Sequence, residues 1–316
     1  MMPSNTSSPV GVALYGNNGH QIQQLLKAQP AARWVAAAAI DDIPEGVRAY
    51  PDLKSLLTDP AIDLVVFCSP KRSEQGAQIL SALEAGKHVY AEKPCTLDVA
   101  TLDEIILTAK RTGCRFHEMA ETAFIQPYAT LREIVQSGVL GEVIQVFSQK
   151  SYPWADWRPA DEAIDGGLAR QAGVHNLRFA EHVAGLKTKS IDIRETQLGN
   201  EFPDNECRRA VSFLMEFENG AVGSAIANYA CPTTWPKWGY DVLRIFGSKG
   251  FVEAMDNGSS GQLVIEGQPP QALEFSKVVP SFFDRFIDEI LTGESQIPST
   301  LEEELSPTRW VLRAKA

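Results

Sequence analysis

Cysteine is sparse and scattered. Cys68, Cys95, Cys114, Cys207 and Cys231 make an odd set with no C-x-x-C spacing. That excludes a disulfide framework and a structural zinc site, and it suits a reducing cytoplasm. Positive charge is also short, with 29 Lys and Arg against 40 Asp and Glu, a formal net charge of -11. No basic run interrupts the balance, so neither nucleic acid nor an anionic membrane surface is expected as a partner. Long apolar runs are missing too. The longest is Trp34–Ile40, far below the roughly 20 residues that span a bilayer. The opening MMPSNTSSPV has no basic segment ahead of an apolar one, so no secretory leader is expected. What remains is an ordinary globular balance, 44% hydrophobic and 22% charged, which excludes disorder and low complexity. At about 150 residues per domain, the length predicts two domains.

The first 120 residues alternate short apolar runs with helical patterns. Val10–Tyr15, Trp34–Ile40, Leu64–Cys68, His88–Ala91 and Cys114–Met119 read as strands. They recur at the spacing of a strand, a crossover helix and the next parallel strand. Runs such as LVVFC, apolar at consecutive positions, suit a sheet covered on both faces. This half predicts a doubly wound parallel sheet, a Rossmann fold, over residues 1–120.

Beyond residue 120 the pattern changes to a predicted α+β domain over residues 121–316. Val211, Phe213, Met215 and Phe217 alternate with Ser212, Leu214 and Glu216, and Glu218-Asn219-Gly220 turns the chain into Ala221–Tyr229. Val242–Phe246 and Phe251–Glu253 flank a second turn, Gly247–Gly250. Strands joined by tight turns predict an open, mostly antiparallel sheet. Further extended runs lie at Val143–Ser148, Ile191–Arg194 and Leu263–Glu266. Helices are expected at Tyr128–Gln136, Leu177–Val183 and Phe282–Leu291, the last followed by a short tail.

Candidate chemistry begins at Gly16-Asn17-Asn18-Gly19-His20-Gln21, directly after the first strand. A glycine there allows a tight turn that aims amides at the start of a helix toward a pyrophosphate. The match to G-x-G-x-x-G is partial, because Asn18 and Gln21 stand at the second and third glycine places. The second strand leads into Asp41-Asp42, where a carboxylate meets the ribose hydroxyls of NAD and repels the 2'-phosphate of NADP. NAD is therefore expected over NADP, with Asp41 as the ribose ligand. A plain turn cap remains the alternative for that pair.

The stretch Ala82–Pro94, ALEAGKHVYAEKP, together with Asp63–Pro70, DLVVFCSP, resembles the Gfo/Idh/MocA family of NAD(P)-dependent oxidoreductases. The likeness extends through QSGVLGEV at Gln136–Val143, FENGA at Phe217–Ala221 and FGSKG at Phe246–Gly250. It implies hydride transfer at a secondary alcohol of a sugar, sugar acid or cyclitol. It also implies Ser69, Pro70, Glu92 and Lys93 beside the cofactor, Lys93 as the acid/base group, and a homo-oligomer, a dimer or tetramer. Physically, a lysine at the carboxyl edge of a parallel sheet faces the crevice where ligands bind.

The family's second motif is similar to G-G-x-L-x-D-x-G-x-H-x-x-D. It stands here as GGLARQAGVHNLR over Gly166–Arg178. His175 fits the family histidine, but Gln171 replaces the aspartate before it and Arg178 the carboxylate after it. Gln171 holds no titratable proton, and an arginine reverses the local field. Two readings stay open. In one, Lys93 or His175 supplies the acid/base function, and Arg178, with Arg170, favours a substrate carboxylate or phosphate. In the other, the chain is a non-redox dinucleotide- or sugar-binding regulator, or an NAD-assisted lyase or hydrolase. A surface ion pair is the plain alternative for Arg178. Trp154 and Trp157 are candidates to face a sugar ring, as are Trp235 and Trp238, with packing as the alternative. His117, Glu118 and Glu121 lie close together but lack a spaced partner, so no metal is expected. Ala123 stands where the family often has arginine before Phe124.

Overall fold

The computed structural model describes residues 8–119, 121–155, 158–201 and 205–315. It divides into two compact units, Met1–Met119 with Pro280–Glu303, and Ala120–Val279 with Glu304–Ala316. Among the described residues, no helix is long and apolar enough to cross a membrane.

In the first unit β1 (Val10–Tyr15) leads to α1 (Gln23–Ala28), β2 (Ala32–Ala38), β3 (Arg48–Ala49) and α2 (Leu53–Leu57). β4 (Leu64–Phe67), α3 (Arg72–Glu84), β5 (His88–Ala91), α4 (Val99–Thr112) and β6 (Phe116–Glu118) follow. The six strands pair in parallel, in the order β3-β2-β1-β4-β5-β6. β4 is buried at all four positions, as a central strand covered on both faces requires. The order reverses between β1 and β4, and a doubly wound sheet binds ligands beside the carboxyl ends of such strands. β2 ends two residues earlier than the sequence suggests, because Ala39 adopts φ +54 and leaves the ladder.

In the second unit α5 (Tyr128–Gln136) precedes β7 (Val143–Pro153), α6 (Glu162–Asp165) and α7 (Gly167–Arg178). Then come β8 (Thr188–Thr196), β9 (Ala210–Phe217), β10 (Val222–Cys231), β11 (Tyr240–Gly247), β12 (Gly250–Met255), β13 (Ser260–Ile265) and β14 (Gln271–Ala272). Their order is β14-β13-β12-β11-β7-β10-β9-β8, antiparallel throughout except for the parallel pair β7–β10. Val211, Phe213, Met215 and Phe217 of β9 point inward beneath the helices, while Leu214 stays exposed. α7 starts ten residues before the expected helix at Leu177, and a π-helical turn at Phe179–Val183 continues it.

Two helices close the chain, α8 (Phe282–Thr292) and α9 (Leu301–Lys315). α8 groups with the first unit rather than with residues 121–316. Its Phe282, Phe283 and Phe286 surround the buried Tyr90 ring of β5 at centroid distances of 6.2, 5.7 and 5.8 Å. α9 replaces the expected short tail, and Pro307 lies within it.

Candidate functional site

The loop after β1 is shaped by what its glycines permit. Gly16 has φ +76, and a Cβ there would lie 2.3 Å from the Cys68 carbonyl oxygen. Only glycine lets the loop pass the end of β4 so closely. Asn18 fastens the same contact, donating its N–H to Cys68 O at 2.9 Å and its Nδ2 to Pro70 O at 3.2 Å. Gly19 lies against Glu92, whose side chain an added Cβ would approach to 2.5 Å. His20 donates its N–H to Glu92 Oε2 at 2.6 Å, and its Nδ1 sits 2.7 Å from the same oxygen.

The amide cradle therefore differs from the sequence expectation. Asn18 and His20 amides already serve Cys68 and Glu92, and the Gly19 amide reaches Asn17 O at 3.2 Å. Helix α1 begins at Gln23 rather than Gln21. The Gln21 amide Nε2 instead bridges the carbonyls of Asn17 and Gly19 at 2.9 and 3.0 Å. The side chains at the second and third glycine places fold the loop back onto itself. A shallow recess remains, lined by Gly16, His20, Gln21, Ile22 and Cys68. Asn17, Gly19 and Pro70 are exposed around it, and Asp41 is exposed three residues beyond β2. Ser69 turns inward and donates Oγ to Gln78 Oε1 at 2.6 Å. The recess and the accessible Asp41 carboxylate lie at the carboxyl ends of β1 and β2, the edge where a doubly wound sheet takes a dinucleotide.

Glu92 and Lys93 follow β5 and are both buried, 2% and 6% exposed. Lys93 Nζ stands 3.7 Å from Glu92 Oε1. Burial opposes the charge of Glu92, but His20, Lys93 and Arg72 outweigh it and hold the carboxyl well below the usual range. Arg72 and Gln75, which the sequence reading missed, frame this segment. Arg72 donates to Asn18 O and to Gln75 Oε1, each at 2.8 Å, and its Nε is buried without a hydrogen-bond partner. Gln75 Nε2 donates to Glu92 O at 2.7 Å and Cys95 O at 3.2 Å. Both lie on the buried face of α3 that Ile79 and Leu83 continue, but that pattern marks burial and not their partners.

In the second unit, Gln171 and His175 lie one turn apart on α7, on one face. His175 Nδ1 is 3.4 Å from Thr122 Oγ1. Gln171 accepts from Tyr229 OH and donates to Asp165 Oδ2, both at 3.3 Å. A buried carboxylate thus stands beside the residue that replaces the family aspartate. Arg178 is 0% exposed. It is buried on α7 together with Val174, one turn before it, so it is enclosed in this unit. Arg170 donates to Gly166 O at 3.3 Å and lies 3.6 Å from Glu162.

Trp154 is half-buried, with the Arg209 guanidinium 4.1 Å from its ring centroid and Tyr229 at 6.0 Å. Trp157 lies outside the described residues. Trp235 donates Nε1 to Asp256 at 3.3 Å, and exposed Trp238 sits 6.5 Å from the Tyr152 ring. Arg158, also missed, is buried 3.7 Å from the Tyr229 ring centroid and donates twice to Pro153 O. His117 Nε2 meets Glu289 Oε2 at 2.9 Å, and Glu118 accepts the Cys95 amide at 2.7 Å. Among the described residues, no group of three His, Cys, Asp or Glu could hold a metal ion.

Residues 10–120 match a model described as an oxidoreductase family with an NAD-binding Rossmann fold, and residues 128–253 match the GFO/IDH/MocA C-terminal domain. The myo-inositol 2-dehydrogenase of Thermotoga maritima is 26% identical over 253 residues, covering 77% of this chain and 71% of the relative. The trans-1,2-dihydrobenzene-1,2-diol dehydrogenase of Bos taurus is 25% identical over 253 residues, covering 79% and 70%. A solved inositol dehydrogenase homolog from Azotobacter vinelandii, complexed with NADH and myo-inositol, aligns with a TM-score of 0.79. That alignment covers 98% of this chain and 96% of the other at 21% identity, a likeness of fold.

Proposed function

The chain belongs to the Gfo/Idh/MocA family of oxidoreductases, with an NAD-binding Rossmann domain, and from that premise we propose that it moves a hydride between NAD and a secondary alcohol of a sugar, sugar acid or cyclitol. The observation that carries the reading is Lys93, a buried ammonium beside a buried carboxylate at the carboxyl end of β5. NAD, when bound, supplies the hydride acceptor. The loop Gly16–Gln21 and the edge at Ser69 and Pro70 would hold it, with Asp41 taking the ribose hydroxyls and repelling a 2'-phosphate. Lys93 holds and moves the hydroxyl proton at Nζ, and Glu92 compensates its charge. Within the second unit, His175 with Thr122 beside it, Gln171 and Trp154 are the proposed substrate residues. Arg178 is left out of that set because it is enclosed.

Lys93→Met tests the assignment. Turnover should fall at least about 100-fold while NADH binding stays nearly intact; full activity in the variant overturns it. A panel of sugars, sugar acids and inositols, followed at the NADH absorbance with NAD and NADP, finds the substrate.

Gln171 favours a second reading, since an amide that does not titrate replaces the family acid. A regulator binds dinucleotide or sugar with no turnover across the panel. An NAD-assisted lyase or hydrolase yields product with no net NADH change. We further propose a homo-oligomer, supported by Leu214 and Val222, 62% and 45% exposed on the sheet face opposite α7. A monomer by light scattering would reject it. The free thiols of all five cysteines support a cytoplasmic setting, which fractionation of the source cells checks.

A further inference from the structure

Glu92 serves two masters with its two oxygens. Oε2 accepts both the backbone N–H and the Nδ1 side of His20, at 2.6 and 2.7 Å. Oε1 stands 3.7 Å from Lys93 Nζ, within ion-pair range but beyond a direct hydrogen bond. We propose that His20 is a positioning residue for the Lys93 ammonium, acting through the Glu92 carboxylate that the two share. The inference rests on the acid/base role proposed for Lys93 and adds the group that sets how firmly its proton is held.

The other titratable and charged neighbours of Glu92 in this unit are fixed. Cys68, at the end of β4, donates Sγ to His20 O at 3.1 Å, and burial pushes its thiol far up, so it stays neutral. Arg72, on α3, is tied to Asn18 O and Gln75. His20 is different, because its side chain is 63% exposed on a surface loop while reaching a carboxylate that is 2% exposed. A donor on Oε2 draws the negative charge toward that oxygen and away from Oε1. The imidazole thus loosens the hold of Glu92 on the Lys93 ammonium. Without it, the carboxylate attracts the ammonium more strongly across a poorly solvated gap. The sequence marks His20 only as part of a nucleotide loop; no pattern in the chain links it to Lys93, 73 residues away by number.

The test is the pH profile of kcat/KM for NAD-dependent oxidation, using the best substrate of the panel, in the full-length chain. His20→Ala should move the limb assigned to Lys93 upward by about half a pH unit or more. His20→Asn keeps a donor at the δ position, where Nδ1 sits, and should leave the limb in place whatever happens to the plateau. In the cofactor-free protein, acylation of Lys93 followed by mass spectrometry should show the same upward move for His20→Ala. An unmoved limb in His20→Ala, or equal shifts in both variants, overturns the inference. The Lys93→Met control separates the two failures. If that variant keeps its turnover, the proposed function falls. If it is inactive while His20→Ala leaves the limb unmoved, only the role of His20 falls.

Discussion

At the end of β2 the backbone passes through Ala39 in left-handed conformation, and Asp41 emerges with its carboxylate in solvent. With Asp41 at the proposed ribose site, Asp41→Ala should shift the kcat/KM ratio toward NADP by about tenfold, a difference of about 1.4 kcal/mol. Ratios of kcat/KM for the two coenzymes measure it, and an unchanged ratio removes Asp41 from the ribose site. Asp41 was nominated from chain-local cues, a strand end and a spacing. Lys93 and His175 were nominated because each sits in a short contiguous pattern. Arg72, Gln75, Thr122 and Arg158 were not. Their roles arise from partners such as Asn18, 54 residues from Arg72, and Tyr229, which no local pattern joins to Arg158. The surface ion pair offered as the alternative for Arg178 fails for a related reason. A charged residue reads as exposed, and only its burial on α7 shows otherwise.

The π-helical turn at Phe179–Val183 carries a half-buried carboxyl, Glu181. Burial pushes Glu181 up to about 7, the charge of Glu218 adds to this, and hydrogen bonds from Thr188 and Ser306 oppose it. The unfolded chain ionises this group near 4.5, so the fold resists losing the proton. Its contribution is neutral below that pH, and stability declines as pH rises from about 4.5 to 7. Glu181→Gln should therefore stabilise the protein at alkaline pH by about 2 kcal/mol relative to its effect in acid. Urea denaturation at both pH values checks this, and equal effects would show that Glu181 ionises normally. The element also shows where periodicity misleads. Two glycines open α7 and Pro307 sits inside α9, so breaker residues hid a 12-residue helix and a 15-residue one. The hairpin β9–β10 was plain by contrast, because strict alternation and an Asn-Gly turn agree on one structure.

For the molecule as a whole, each unit has its own sheet and core, and the first is discontinuous in sequence. Phe286 is fully buried, 4.7 Å from the His117 ring and 5.8 Å from Tyr90. Phe286→Ala should lower stability by about 3–5 kcal/mol, measured by guanidinium denaturation. Loss of less than about 1 kcal/mol would mean that α8 is not integral to the unit. The change of strand pattern near residue 120 falls where the first unit gives way to the second, at Met119 and Ala120. The return of α8 was not legible in the sequence, because an amphipathic helix shows that it has a partner and not which one. That return bears on how the protein is made. A ribosome releases β5 and β6 well before α8, so the Tyr90 and His117 side of the sheet stays bare of Phe282–Phe286 until that helix emerges. In that interval it offers chaperones an uncovered aromatic surface.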